Sequence, residues 1–151
     1  MTLKVVSAVS LLMALGAHLP AAYGVCLDPE TGKSGYKIPL NREVRTAEAI
    51  VIGRVLSEHP LREEADDPDG ITASSVTVKV LKKLKGTLSG LIVLRNENTS
   101  SRYPMSVGEE HVLFVSRANH DMWINSCGNS SVMPDGEQVA RKVSAHLRAM
   151  K

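Results

Sequence analysis

Apolar and polar residues alternate most cleanly where Val76, Val78 and Val80 interleave with Thr77 and Lys79. Period two of this kind predicts a strand with one covered face and one wet face, over about 72–84 and ending at Leu84-Lys85-Gly86. Apolar runs at Ile50 to Leu56, Leu91 to Leu94, His111 to Ser116 and Met122 to Cys127 predict four further strands. Their expected bounds are about 49–57, 91–95, 110–116 and 122–127. Gly53 interrupts the first of them, and an interior strand glycine marks a bulge or a sharp bend. Helical spacing occurs twice. Asn41 is placed to cap a short helix from Arg42 to Ala49. After Pro134-Asp135-Gly136, the positions Val139, Val143, Leu147 and Met150 step as one face of a helix over about 137–150. Arg141, Lys142, Arg148 and Lys151 take its other face.

Between these elements lie polar stretches. Cys26 to Leu40 reads as a covering loop, Glu63 to Gly70 as an acidic turn with a Pro-Asp-Gly signal, and Asn96 to Ser101 as another turn. Five strands between two helices, with a bent first strand, predict a mostly β fold: a small five-stranded OB-like Greek-key barrel with a short N-terminal helix and a C-terminal amphipathic helix. A β-sandwich is the alternative, although it normally has seven strands.

The first 24 residues carry the parts of a cleaved secretory signal. Lys4 supplies the charge, Val5 to Leu15 the apolar run, and Ala22-Tyr23-Gly24 a small-residue site after Pro20. A membrane anchor is the rival reading, but the run falls short of the roughly 20 residues a span needs. Cleavage after Gly24 leaves residues 25–151 as a single soluble domain, secreted or periplasmic, with no membrane span. The two cysteines of the chain, Cys26 and Cys127, then read most simply as one disulfide. Two free thiols or a metal pair are the other readings, and no His or Cys stands at zinc-ligand spacing beside either residue. A bond closing a loop of about a hundred residues is worth about 4.7 kcal/mol in the chain-entropy model.

Composition narrows the partners. The net charge of +2 calls for neither nucleic acid nor an anionic membrane, and the aromatics that could stack on bases are few and scattered. Trp123, the only tryptophan, is expected in the core. His59, His111, His120 and His146 form no metal or catalytic pattern and are expected at the surface or the core edge. No nucleophile or phosphate-loop signature is present, so the expectation is a protein that is not an enzyme, with no cofactor and no metal site. Lys79, Lys82, Lys83 and Lys85 are read as strand lysines that discourage edge pairing, or as a face for polyanions.

Several segments are recognisable together. Cys26 followed by Ala47-Glu48-Ala49-Ile50-Val51-Ile52-Gly53-Arg54-Val55 resembles the opening of netrin-like domains. Val76 to Gly86 is similar to the family's second strand, Val107 to Val115 to a later Gly-bearing strand, and Cys127-Gly128-Asn129 to its terminal Cys-Gly pair. The resemblance covers Cys26 to about Asn129 and implies an OB-like barrel whose N-terminal segment is stapled to the last strand. The family includes the tissue inhibitors of metalloproteinases, whose mature N-terminal Cys chelates the protease zinc through its amine and carbonyl. This chain departs from them: Leu27-Asp28 replaces the second half of a Cys-x-Cys opening, and Val25 precedes Cys26. The expected function is an exported, non-catalytic protein-binding module. Its partner-binding ridge is Cys26, Leu27, Cys127 and Gly128. A metalloprotease inhibitor acting through that ridge and an envelope structural protein binding polyanions are the alternatives.

Overall fold

A computed structural model describes residues 25–67 and 70–150; the expected signal, residues 1–24, lies outside them. Two helices, α1 (Leu40–Thr46) and α2 (Gly136–Ala149), accompany six strands. These are β1 (Ala49–Leu61), β2 (Ala73–Lys85), β3 (Leu91–Glu97), β4 (Glu110–Ala118), β5 (Asp121–Ile124) and β6 (Ser131–Val132). The order across the sheet is β3-β2-β1-β4-β5, all antiparallel, with β6 on β4 beside β5. Three strands in succession with the fourth returning beside the first is Greek-key order.

The expected closed barrel is not completed by hydrogen bonds. β3 and β5 come within 8 Å, Cα to Cα, but no ladder joins them. The cause is local to β5, which was expected to run to Cys127 and stops at Ile124. Asn125 Oδ1 accepts the Cys127 N–H at 2.9 Å, and its carbonyl accepts the Gly128 N–H at 3.0 Å. This turn takes the chain off the sheet before the seam can close.

Two apolar layers hold the fold together. Ala49, Val51, Val55, Val76, Val78, Ile92, Leu94, Leu113, Val115 and Ile124 pack together in one layer. In the other layer Ile50, Val112 and Phe114 are covered by Val44 and Ala47 of the α1 region and Val143 of α2. Hence β1 and β4 carry unbroken buried runs, whereas β2 alternates: Val76 and Val78 are buried while Lys79 is exposed. Leu147 and Val139 join the second layer, but Met150 lies past the helix and is exposed.

Other boundaries moved for identifiable reasons. Pro39, not Asn41, stands at the cap position of α1. β3 includes Asn96, whose buried amide donates to the Tyr103 carbonyl at 3.1 Å and so tolerates the interior. The two-residue β6 was not expected; it is tied to β4 through Val132 opposite His111.

Gly53 sits at a shift in the β1–β2 register, as its place in the run implied. A Cβ there would lie 2.5 Å from Val78 Cγ1 and 3.3 Å from the Lys79 carbonyl. Gly53→Val should therefore destabilise by about 1–3 kcal/mol or more, the cost of overpacking a filled site. Urea unfolding measures it, and a wild-type midpoint would contradict the packing described.

Candidate functional site

The candidate site begins with the segment before α1. Asp28 organises its tip: Oδ1 accepts the Glu30 and Thr31 N–H groups, each at 2.9 Å. These backbone donors hold the Asp28 carboxyl below its usual range. Leu27 pairs with Ser34 in a short bridge, and the Tyr36 N–H returns to the Cys26 carbonyl at 3.0 Å. The strap is thus a small hairpin that presents Leu27 outward.

Two fastenings tie it to the body. Cys26 and Cys127 form a disulfide, Cα–Cα 5.6 Å, across a separation of 101 residues. Beside it, the Ile38 N–H donates to the Cys127 carbonyl at 2.9 Å. The second fastening is Glu43 of α1, whose side chain is buried. Its Oε2 accepts both the Asn129 N–H and the Asn129 side-chain amide at 2.7 Å, and that amide also donates to the Ile38 carbonyl at 2.8 Å. Burial raises the Glu43 pKa, and the Asn129 donors oppose the rise. Gly128 is buried against the same carboxylate, where a Cβ would collide with Glu43 Oε1. The Cys127-Gly128-Asn129 motif is therefore a receptor for Glu43. Of the four expected ridge residues, Leu27 is exposed, Cys26 and Cys127 are half-buried, and Gly128 lies beneath them.

A cleft of about 650 Å³ opens beside this ridge. Val25, Cys26 and Leu27 form one lip, the end of β3 and the following loop another, and the β4–β5 turn with Trp123 the third. Trp123 is 37% exposed, contrary to its expected place in the core. Strand alternation explains this: Ile124 pairs with Val115 and enters the core, so Trp123 faces the other way. Arg95 stands at the β3 lip with its guanidinium already committed. It makes a two-fold contact with Glu63 at 2.7 and 2.6 Å and a third bond to Glu97 at 2.6 Å. Arg95, and next Thr72, hold the Glu63 carboxyl down at about 2.

The loop wall of the cleft is anchored by His111, expected at the surface or the core edge and in fact buried. Its Nδ1 lies 3.0 Å from the Tyr103 hydroxyl, and Nε2 lies 3.3 Å from Glu109 Oε2 without hydrogen-bond geometry. Glu109 is itself held by the Ser106 N–H at 2.8 Å, which lowers its pKa. Among the expected lysines, Lys79, Lys82 and Lys83 are exposed. Lys85 turns inward, donating to the Arg45 and Ala47 carbonyls at 2.8 and 2.6 Å where α1 ends.

Glu43, His111 and the Trp123 cleft were not expected from the sequence. A signal existed for two of them. Leu40, Glu43, Val44 and Ala47 follow the spacing of a covered helix face, so Glu43 stands at a core position. His111 shares the inward phase of Leu113 and Val115. Compared with known proteins, the chain matches no family model and no curated protein at a significant level.

Burial lowers the His111 pKa from 6.5, against the opposing pull of Glu109. The unfolded chain therefore takes up this proton first, and stability present above about 6.5 is lost as pH falls toward the depressed folded value. In urea unfolding over this range, His111→Gln should flatten that slope. An unchanged slope in the variant would contradict the assignment.

Proposed function

We propose that this chain is an exported, non-catalytic protein-binding module on an OB-like, netrin-like barrel, docking its partner through the ridge at Cys26, Leu27 and Cys127. The observation that carries this reading is the exposure of Val25 and Leu27 on a segment already fixed by the disulfide and the Glu43–Asn129 bonds. Apolar side chains on an ordered backbone lose little entropy on docking. The OB-like part is supported by the Greek-key order, the approach of β3 to β5 and the helices over β1 and β4. The netrin-like part is supported by the bond from the early Cys26 to the Cys of Cys127-Gly128-Asn129. Export is supported by the disulfide itself, since such bonds persist in oxidising compartments.

Metalloprotease inhibition is the related reading, because Cys26 lies on the exposed ridge. Chelation of zinc by a chain end uses an amine and a carbonyl on the same first residue. A chain beginning at Val25 places both one residue away from Cys26 and adds a branched side chain there.

The test captures exported proteins on the immobilised domain, in parallel with Leu27→Asp and Lys82→Glu. A partner held by wild type and Lys82→Glu, and weakened about tenfold or more by Leu27→Asp, is expected for loss of an apolar anchor. Capture indifferent to Leu27 but abolished by salt and by Lys82→Glu would overturn the reading in favour of polyanion binding. The Val25 form, titrated against zinc proteases, should not inhibit. Inhibition abolished by acetylating its amine would make it a protease inhibitor.

A further inference from the structure

We infer that the cleft beside the ridge is a binding site for a neutral oligosaccharide, with Trp123 as its stacking platform; this inference does not depend on the ridge docking a protein. The volume of about 650 Å³ falls within the roughly 300–1,000 Å³ usual for small-ligand sites. The chain has one Trp and one Phe, and the second layer of the core uses the Phe. Its largest apolar side chain is nevertheless left half in solvent on the cleft wall. An indole offers a broad apolar face with one N–H at its edge, which suits a ring carrying C–H bonds on its faces and hydroxyls around its rim.

The rest of the lining supplies partners for such a rim. The side chains of Asn119 and Asp121 and the side-chain NH₂ of Asn125 border the cleft, and among the described residues these groups make no hydrogen bond. Ser101 and Thr99 share a single bond at 3.2 Å, which leaves further donor and acceptor capacity. Asn119, at φ 54°, lies in the β4–β5 turn, and Asp121 opens β5 two residues before Trp123.

Charge decides against an acidic ligand. Arg95, the cation at the β3 lip, is neutralised by Glu63 and Glu97. The remaining charges on the cleft, Arg102 and Asp121, offset one another. A sulfated or phosphorylated chain would find no net positive field here, whereas Asp121 and Arg102 can each grip neutral hydroxyls. The wall is also prepared in advance. The loop bearing Ser101 and Arg102 is pinned by Asn96 to the Tyr103 carbonyl and by the Tyr103 hydroxyl to His111. A pre-formed site pays less ordering cost on binding.

Because Trp123 is the only tryptophan, emission excited to the red of the tyrosine band reports on this cleft. The folded domain is titrated with cellotetraose, maltotetraose and the tetramer of N-acetylglucosamine. A saturable shift or quench of Trp123 emission with at least one of them is expected. By calorimetry Trp123→Ala should weaken that sugar about tenfold or more, as loss of a stacking platform implies. Asp121→Ala should weaken it with the emission still readable, and Lys142→Glu on α2 should leave it unchanged. Thermal unfolding of each variant confirms that the fold is retained. No saturable response to any of the three sugars would overturn the proposal, as would equal affinity in Trp123→Ala. So would a response confined to a sulfated oligosaccharide or to a Leu-centred hexapeptide.

Discussion

A carboxylate removed from water must be satisfied by the protein, and Glu43 is satisfied by one short segment, Asn129. An unpaired charge at that depth would cost several kcal/mol, so the strap, α1 and the chain after β5 have to arrive together. Asn129 relays the constraint by bonding the Ile38 carbonyl, while the Ile38 N–H bonds Cys127. The disulfide adds the covalent half of the same joint. Gly128 has no side chain because the carboxylate occupies the space where one would stand.

That joint decides what the sheet can present. With residues 125–129 bent toward α1, β5 remains short and the seam beside β3 carries no ladder. The cleft lies along this side of the molecule, roofed by the strap and floored partly by Trp123. Elsewhere β1 and β4 are covered through Ile50, Val112 and Phe114 by α1 and α2. The Tyr103–His111 contact then holds the loop wall, so a buried titratable group underlies one side of the cleft.

Much of this was legible in the residues. Val76-Thr77-Val78-Lys79 alternates because β2 has one wet face, and Val139, Val143 and Leu147 step as a covered helix face. Gly53 announced the bulge, and two cysteines in a chain with a signal-like start announced the bond. The closed barrel was not legible correctly, because the apolar run at Met122 to Ile124 gives no hint that Asn125 caps a turn. Trp123 was misplaced for a related reason. Size and hydrophobicity argue for the core, but the register of β5 against β4 decides which face it takes, and register depends on partners distant in sequence. Glu43 and His111 were missed because polar residues on an inward face look like surface residues until the phase of their neighbours is counted.

Glu43 is the group that orders the strap, and amide hydrogen exchange in the oxidised protein tests this most directly. Wild type and Glu43→Ala are compared at Tyr36, Ile38 and Asn129, with β2 amides as the internal reference. Leaving the Asn129 donors stranded costs about 1–3 kcal/mol each. Protection at those three amides should therefore fall by about tenfold or more, beyond any change in β2, even with the Cys26–Cys127 bond intact. Equal protection at the strap and in β2 in both proteins would mean that the disulfide alone orders the ridge, and would contradict the account.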